Sequence, residues 1–249
     1  MQLSDVGLQI AAAATVPLLP VVWTQGRRVR EDMPRLPGAS GPVTGQVRGT
    51  GLPVRLLVFG ESTVAGVGAP DHAQGLTGQV ARTLATTTKR PVRWRAHGQR
   101  GVTAQAAHDG LLPTLPKAPV HAVVVALGVN DVMRSHGPVR WRRDLGRLVA
   151  GVRARTDHPP VVLAGMPPIG RFPALPEPLR TVLAWRGRLL DQATRNFAAS
   201  THTVTYVPAP RPEQNEAFCA DGFHPAPAGY ALWGRRLGRA AARGLQRRR

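Results

Sequence analysis

The sequence is poor in cysteine, and that shortage limits how its fold can be held together. Its 249 residues include one cysteine, Cys219, so no intrachain disulfide can form. This indicates a reducing compartment, or a fold that needs no covalent cross-link. Free cysteine most often packs as a small apolar side chain, and we interpret Cys219 in that way rather than as a nucleophile.

Acidic residues and lysine are also scarce. There are 14 acidic against 33 basic side chains, a net charge of +19, and only Lys89 and Lys117 are lysines, which leaves 31 arginines. A basic surface attracts nucleic acid and anionic membranes. The arginines are scattered, however, and no helix-turn-helix, zinc-finger or RNA-recognition pattern accompanies them. We therefore do not expect specific nucleic-acid binding, whereas an anionic membrane surface stays open as a partner.

Near the N-terminus, residues 6–23 carry no charged side chain, and arginines follow them. The stretch lacks the basic start and the small-residue cleavage site of a cleavable signal peptide. It has the minimum length of a membrane span, and spanning would put the main body on the cytoplasmic side. The alternative is an apolar helix packed on the domain or lying on a membrane surface. We expect a cytoplasmic or membrane-associated protein, with residues 1–30 as an apolar segment that can serve as its anchor.

Composition divides the rest of the chain into two parts. Residues 31–52 are rich in proline and glycine and are predicted to be a linker, and residues 53–249 form the main domain. In this domain apolar runs alternate with amphipathic stretches, as in βαβ units. Strands are predicted at 54–59, 91–96, 120–127, 160–165 and 203–207. Helices are predicted at 76–88, 103–111, 139–155 and 179–199, with a last one after Pro225. About five parallel strands between helices make an α/β fold, a three-layer α/β/α sandwich.

Four short polar patches fall at predicted strand ends or at the entrance to the last helix. They are Gly60-Glu61-Ser62, Gly98-Gln99-Arg100-Gly101-Val102-Thr103, Gly128-Val129-Asn130-Asp131 and Asp221-Gly222-Phe223-His224-Pro225. The carboxyl ends of parallel strands meet at one edge of a sheet, so these patches are expected to converge there. Taken singly, each has a simpler explanation, namely a helix N-cap serine, a turn, or a loop with a surface histidine.

Together the patches hold the residue types that acyl transfer needs. Ser62 would attack an acyl carbonyl, His224 would take its proton and return it to the leaving group, and Asp221 would orient the imidazole. The tetrahedral oxyanion also needs preorganised donors. The backbone amides of Ser62 and Gly101 and the side-chain amide of Asn130 could form such an oxyanion hole.

In these residues the sequence resembles the SGNH, or GDSL-type, hydrolase family over about residues 54–245. The four residues that give the family its name match Ser62, Gly101, Asn130 and His224. The resemblance implies a flavodoxin-like sheet and esterase, lipase or related acyl-hydrolase activity without a metal. Two positions depart from the common pattern: Glu61 replaces the aspartate of Gly-Asp-Ser, and His97 replaces the asparagine before Gly98.

Alternatives remain open at this stage. The Gly-x-Ser-x-Gly elbow of ordinary α/β-hydrolases would need glycine where this chain has Val64, so that fold is not favoured. No histidine has metal-ligand spacing, and we assign neither a metal nor another cofactor. The favoured function is a serine esterase acting on a small-molecule or lipid ester. The alternatives are an acyltransferase with the same chemistry, or a basic protein that binds nucleic acid or anionic lipid. The proline-rich segment 166–178 is either an apolar wall of the acyl site or a structural loop.

Overall fold

The computed structural model describes residues 19–211 and 217–247. Its centre is a six-stranded sheet in the order β1-β3-β2-β4-β5-β6. The strands are β1 (Thr44–Val47), β2 (Val54–Gly60), β3 (Val92–Gly98), β4 (Ala122–Ala126), β5 (Val161–Ala164) and β6 (Val204–Val207). Strands β2 to β6 are parallel, and β1 pairs antiparallel with β3. The five predicted strands and the flavodoxin-like arrangement of a three-layer sandwich are confirmed.

Helices cover both faces of the sheet. They are α1 (Leu19–Asp32), α2 (Leu76–Thr88), α3 (Ala104–Ala106), α4 (Val129–Met133), α5 (Pro138–Arg155), α6 (Leu179–Ala199) and α7 (Pro227–Gln246). Helix α3 continues into a π turn and a 3-10 turn that end at Thr114, and a further 3-10 turn spans Ile169–Arg171. The predictions at 76–88 and 179–199 coincide with α2 and α6. Both are long amphipathic stretches, the clearest signal a sequence offers.

Alternation along the central strands explains the two faces. In β2, Leu57 and Phe59 belong to the core under α5 and α6, whereas Leu56 and Val58 belong to the core under α2 and α7. Every residue of β4 is buried. A strand with apolar side chains on both faces of the sheet must be covered on both faces. The sheet therefore lies between two layers of helices.

Close contact between α2 and α7 depends on two glycines. Gly234 and Gly238 lie one turn apart on α7 and face Gln79 and Thr83 of α2. A Cβ at either position would approach α2 more closely than carbon atoms tolerate. The glycines therefore let the two helix backbones come together, and Tyr230, Trp233 and Leu237 of α7 are buried beside them.

The proline- and glycine-rich segment 31–52 differs from the predicted plain linker. It contains β1, which pairs with β3 from Thr44–Arg95 to Val47–Val92. The segment has little apolar character of its own, so pairing with the edge of β3 supplies the order that its local sequence does not predict.

The N-terminal apolar stretch is described only from residue 19, and the predicted anchor before it lies outside the described residues. The part that is described starts α1, which packs through Val22 and Val29 against the core beneath α6. None of the helices in the described part of the chain is long and apolar enough to cross a membrane.

Candidate active site

Ser62, His224 and Asp221 form a chain of hydrogen bonds at the carboxyl end of β2. The Oγ of Ser62 lies 3.1 Å from Nε2 of His224. The Nδ1 of the same imidazole lies 2.6 Å from Oδ2 of Asp221. With Nδ1–H donating to the carboxylate, Nε2 is left as the acceptor that faces the serine hydroxyl. The arrangement can move a proton from Ser62 to His224 while Asp221 stabilises the resulting cation.

The turn before α7 holds Asp221 in place. Its Oδ1 accepts hydrogen bonds from the backbone amides of Phe223 and His224, at 3.0 and 2.9 Å. Gly222, which directly follows Asp221, adopts a φ of +60°, a conformation that favours glycine. The side chain of Asp221 is buried. Its hydrogen bonds to this short turn fix the position of the carboxylate and the orientation of the His224 imidazole.

Ser62 and Gly101 each present a backbone amide that has no partner within the described residues. Both residues, together with Asn130 and His224, line one pocket of about 640 Å³. Gly101 has a φ of +73°, and a Cβ there would meet no atom of the described residues within 4 Å. Its backbone is therefore open towards the pocket, and free N–H groups of this kind can stabilise a developing negative charge.

Glu61, the residue that departs from the usual motif, holds Asn130. It is 4% exposed, and its carboxylate accepts hydrogen bonds from the backbone amides of Val129 and Asn130 at 3.1 and 3.3 Å. It also accepts a short hydrogen bond from the side-chain amide of Asn130, which leaves the second N–H of that amide for the pocket. Burial raises the pKa of Glu61 to about 7, although these hydrogen bonds oppose the increase.

The carboxylate of Asp131 contacts a different part of the chain from Asn130, namely the start of α3 and His136. It is fully buried, and its carboxylate accepts from the backbone amide of Ala104 at 3.0 Å and contacts Nδ1 of His136 at 2.7 Å. Burial raises the pKa of Asp131, and the bonds to His136 and Ala104 oppose that change. The two neighbouring side chains Asn130 and Asp131 thus connect the loops after β2, β3 and β4, a function that the sequence analysis did not assign.

His97, the second departure from the usual motif, supports the segment after Gly101. Its Nε2 lies 3.1 Å from the carbonyl oxygen of Leu111 and 3.2 Å from Oγ1 of Thr114. The ring also packs against Phe59, with 5.6 Å between ring centroids. Burial lowers the pKa of His97 and so favours the neutral imidazole. Here the histidine connects the end of β3 to the turns that follow α3.

Aromatic and proline residues make much of the pocket wall. Phe172 contacts both Phe218 and Phe223 edge to face, with centroids 5.5 and 4.9 Å apart. Within the predicted wall 166–178, Pro167, Pro168 and Phe172 do line the pocket. Ile169 and Leu175 of the same segment are instead buried in the core. The segment is therefore both a wall and a structural loop.

Helix α1 forms a wall that the sequence analysis did not predict. Val29 and Met33 line the pocket although they precede the predicted main domain. The helix is held by Gln25, which donates to the carbonyl of Glu177 at 2.7 Å and accepts from the amide of Leu179 at 3.1 Å. These contacts join residues more than 150 positions apart, and no local sequence motif predicts the position of α1.

Cys219 lies near Asp221 but is not part of the hydrogen-bond chain. Its Sγ contacts the carbonyl oxygens of Gly68 and Pro225, at 3.4 and 3.3 Å. Burial, with a further contribution from Asp221, raises the pKa of the thiol and so disfavours a reactive thiolate. These contacts agree with the interpretation of Cys219 as a packed residue.

A flavodoxin-like sheet with a serine–histidine–aspartate chain at its carboxyl edge is characteristic of the SGNH class of carboxylic ester hydrolases. Residues 58–232 match the model of the GDSL-like lipase/acylhydrolase family. The chain therefore belongs to that family.

One relative and two solved structures show what else this chain is similar to. The chain is 29% identical over 204 residues to the GDSL-like esterase Rv1075c of Mycobacterium tuberculosis, covering 77% of this chain and 63% of the length of that relative. A carbohydrate acetylesterase family member from Sinorhizobium meliloti superposes with a TM-score of 0.59 at 19% identity, over 78% of this chain and 99% of that one. A lipase/acylhydrolase from Enterococcus faecalis gives 0.55 at 22% identity, over 75% and 94%. At these identities the two structures establish a shared fold.

Proposed function

We propose that the protein is a serine esterase that hydrolyses carboxylic esters through an acyl-enzyme on Ser62. The observation that carries this proposal is the hydrogen-bond chain from Ser62 Oγ through His224 to Asp221, at 3.1 and 2.6 Å, inside a pocket that can hold a substrate. Membership of the GDSL-like family supports ester hydrolysis in general. The residues of the chain supply a specific mechanism.

In the first half-reaction His224 acts as the general base. Nε2 takes the proton of Ser62 as Oγ attacks the ester carbonyl, and the Asp221 carboxylate stabilises the imidazolium that forms. The carbonyl oxygen becomes an oxyanion that accepts hydrogen bonds from the amides of Ser62 and Gly101 and from Asn130 Nδ2. When the tetrahedral intermediate collapses, His224 gives its proton to the departing alkoxide, and the alcohol leaves.

The second half-reaction repeats the same proton movements with water. His224 takes a proton from a water molecule that attacks the acyl carbon, and it returns a proton to Ser62 Oγ as the acid leaves. An alcohol or sugar hydroxyl in place of water would give acyl transfer by the same steps. Product analysis in the presence of an added alcohol separates the two outcomes, because transfer yields a new ester.

Substitution of Ser62 by alanine tests the proposal. We expect Ser62→Ala to abolish hydrolysis of short p-nitrophenyl esters and covalent labelling by a fluorophosphonate, with an unchanged circular dichroism spectrum. The matched control is Cys219→Ala, which removes the nearby thiol and should keep both labelling and turnover. Undiminished turnover in Ser62→Ala, or labelling that is lost only in Cys219→Ala, would contradict the assignment.

Attachment of the N-terminal segment to a membrane surface is a further part of the proposal. Val21 and Trp23 of α1 are exposed by 44% and 62%, and basic residues follow them on the same helix. Such a helix can lie on an anionic bilayer. Sedimentation of the whole protein with phosphatidylglycerol vesicles should fall when Trp23 is replaced by serine. Equal sedimentation of both proteins would argue against attachment through this helix.

A further inference from the structure

Four arginines border the pocket that contains Ser62. Arg30 lies on α1 and Arg35 in the loop after it, Arg100 is next to Gly101, and Arg134 directly follows α4. Because three separate parts of the chain contribute them, the positive charge surrounds the pocket rather than lying along one helix. All four are exposed and therefore lie at the mouth of the pocket, above its apolar walls.

Few arginines in the described part of the chain have an acidic partner, and the four at the pocket have none. Arginine is frequent throughout the chain, so its presence in the pocket is not by itself informative. Elsewhere, Arg195 pairs with Asp191 at 3.1 Å, and two arginines flank Asp144. In the described ranges, no salt bridge joins any of the four pocket arginines to a carboxylate, and what distinguishes them is that all four border one pocket.

Their hydrogen bonds leave most of their donor capacity unused. Arg30 donates through Nε to the carbonyl of Gly26 in its own helix, and Arg100 donates through Nη1 to the carbonyl of Leu36. Each guanidinium has five N–H donors, so either bond uses a small part of the set. The side chains of Arg35 and Arg134 donate no hydrogen bond to another described residue.

Two further polar groups of the same pocket lack a partner. The indole Nε1 of Trp233 and the hydroxyl of Thr63 are buried and form no hydrogen bond within the described part of the chain. Among the described residues, Glu61 is the one carboxylate that lines the pocket, and it already accepts from Val129 and Asn130. The pocket therefore has a surplus of donors, and an occupant must bring the acceptors.

Residues 212–216 lie outside the described part of the chain, and by sequence they include Glu213 and Glu216. Together with Glu61 these make three carboxyl groups, which four guanidinium groups would still outnumber.

We propose that the ester cleaved at Ser62 carries an anionic group, a carboxylate or a phosphate, which binds among Arg30, Arg35, Arg100 and Arg134. This rests on the proposed esterase function and names its substrate class. The apolar part of the ester lies against the aromatic wall at Phe172 and Phe223, while the anion stays at the mouth, where it keeps part of its hydration. Bringing an anion to several cations in a partly enclosed cleft raises both binding and the rate of encounter.

Matched substrates test the proposal. The probes are p-nitrophenyl valerate and mono-p-nitrophenyl glutarate, which have similar acyl length and differ by a terminal carboxylate. We expect kcat/KM for the anionic ester to exceed that for the neutral one at 50 mM NaCl, after correction for their uncatalysed rates. At 500 mM NaCl the preference should shrink severalfold, because the Debye length falls from more than ~10 Å towards ~3 Å.

Charge-removing variants assign the effect to this site. In Arg35→Gln/Arg134→Gln the preference for the anionic ester should fall about tenfold, the combined effect of two partly exposed charge pairs. The matched control, Arg147→Gln/Arg239→Gln, removes two exposed arginines that do not line the pocket and should keep the preference. An equal fall in both double variants would overturn the proposal, because it would assign the effect to net charge.

The remaining outcomes separate this proposal from the esterase function itself. Equal use of both esters by a Ser62-dependent wild type would overturn the anionic substrate while keeping the esterase. Failure to cleave either ester in a Ser62-dependent way would overturn both. Vesicles distinguish the source of the anion: preferential deacylation of phosphatidylglycerol over phosphatidylcholine indicates a lipid headgroup, and a preference seen only with the glutarate ester indicates a soluble anion.

Discussion

Replacement of Glu61 by glutamine tests whether this carboxylate positions Asn130. Its two oxygens accept three hydrogen bonds, one from Val129 and two from Asn130. Glutamine has nearly the same shape but one acceptor oxygen, so at least one of the three donors would face an NH₂ group. Both bonds from Asn130 go to Oε2, where a neutral amide oxygen accepts more weakly than a carboxylate, and the NH₂ group then faces the amide of Val129. We expect this repulsion to displace the start of α4, so that the side chain of Asn130 leaves its present orientation and its second N–H is lost to the pocket.

The loss of activity should be large and the loss of stability small. Removing one preorganised oxyanion donor lowers kcat about 10²–10³-fold. An unsatisfied buried donor costs about 1–3 kcal/mol of folding free energy. Burial raises the pKa of Glu61 from 4.5 to about 7, so keeping this carboxylate ionised in the folded state above pH 7 costs about 3 kcal/mol of folding free energy. Glutamine does not ionise, so the variant does not have this cost. The two stability effects nearly cancel, whereas nothing offsets the loss of the donor.

Steady-state kinetics with a p-nitrophenyl ester and urea unfolding, both at pH 8, measure the two quantities. Glu61→Asp is the matched control: it keeps a carboxylate, and kcat should stay well above that of Glu61→Gln. If Glu61 acts through Asn130, adding Glu61→Gln to Asn130→Ala should lower kcat little further. Wild-type kcat in Glu61→Gln, or losses that multiply in the double variant, would refute the reasoning.

Three further predictions concern the same region. The native state holds the Glu61 proton more tightly than the unfolded state, so the contribution of Glu61 to the free energy of unfolding is greatest below pH 4.5 and falls by about 3 kcal/mol as pH rises to 7. Urea unfolding of the wild type and of Glu61→Gln across this pH range isolates that contribution. A difference between the two proteins that does not change with pH would contradict the prediction. Asp221→Asn should lower kcat about 10⁴-fold with KM little changed, because the amide no longer holds the useful tautomer of His224, and kinetics that match wild type would exclude an orienting role. Tyr230→Phe removes a buried hydroxyl that donates to the carbonyl of Val67 and should cost about 1–3 kcal/mol in urea unfolding while kcat stays within a few-fold, and unchanged stability would show that this bond contributes nothing.

The local patterns in the sequence were sufficient to predict the central sheet and most of its helices. Strands β2 and β4 are apolar on both faces, and α6 repeats its apolar positions over 21 residues, so each carries its structure in its own composition. The convergence of Ser62 with His224 also follows from the sequence, because strand direction alone brings β2 and the last loop to one edge.

Features that depend on distant contacts could not be predicted. Strand β1 has two exposed and two partly exposed residues, and it forms a strand because it pairs with the edge of β3. Helix α1 becomes a pocket wall through Gln25 and a few apolar contacts to α6. The hydrogen bonds between Glu61 and Asn130 join residues 69 positions apart. Comparison with the Gly-Asp-Ser motif shows that glutamate replaces aspartate at position 61, but it does not predict the contact with Asn130.

The direction of the parallel strands separates the two lysines from the pocket. Lys89 follows α2 just before β3 begins, and Lys117 precedes β4, so both exposed amines lie at the amino ends of their strands, whereas Ser62 follows the carboxyl end of the parallel strand β2. Arginine does not react with the succinimidyl esters used for amine coupling. A sensor surface or dye attached at these two lysines would leave the opening of the pocket facing away from the support, so the protein can be immobilised or labelled without obstructing its substrate.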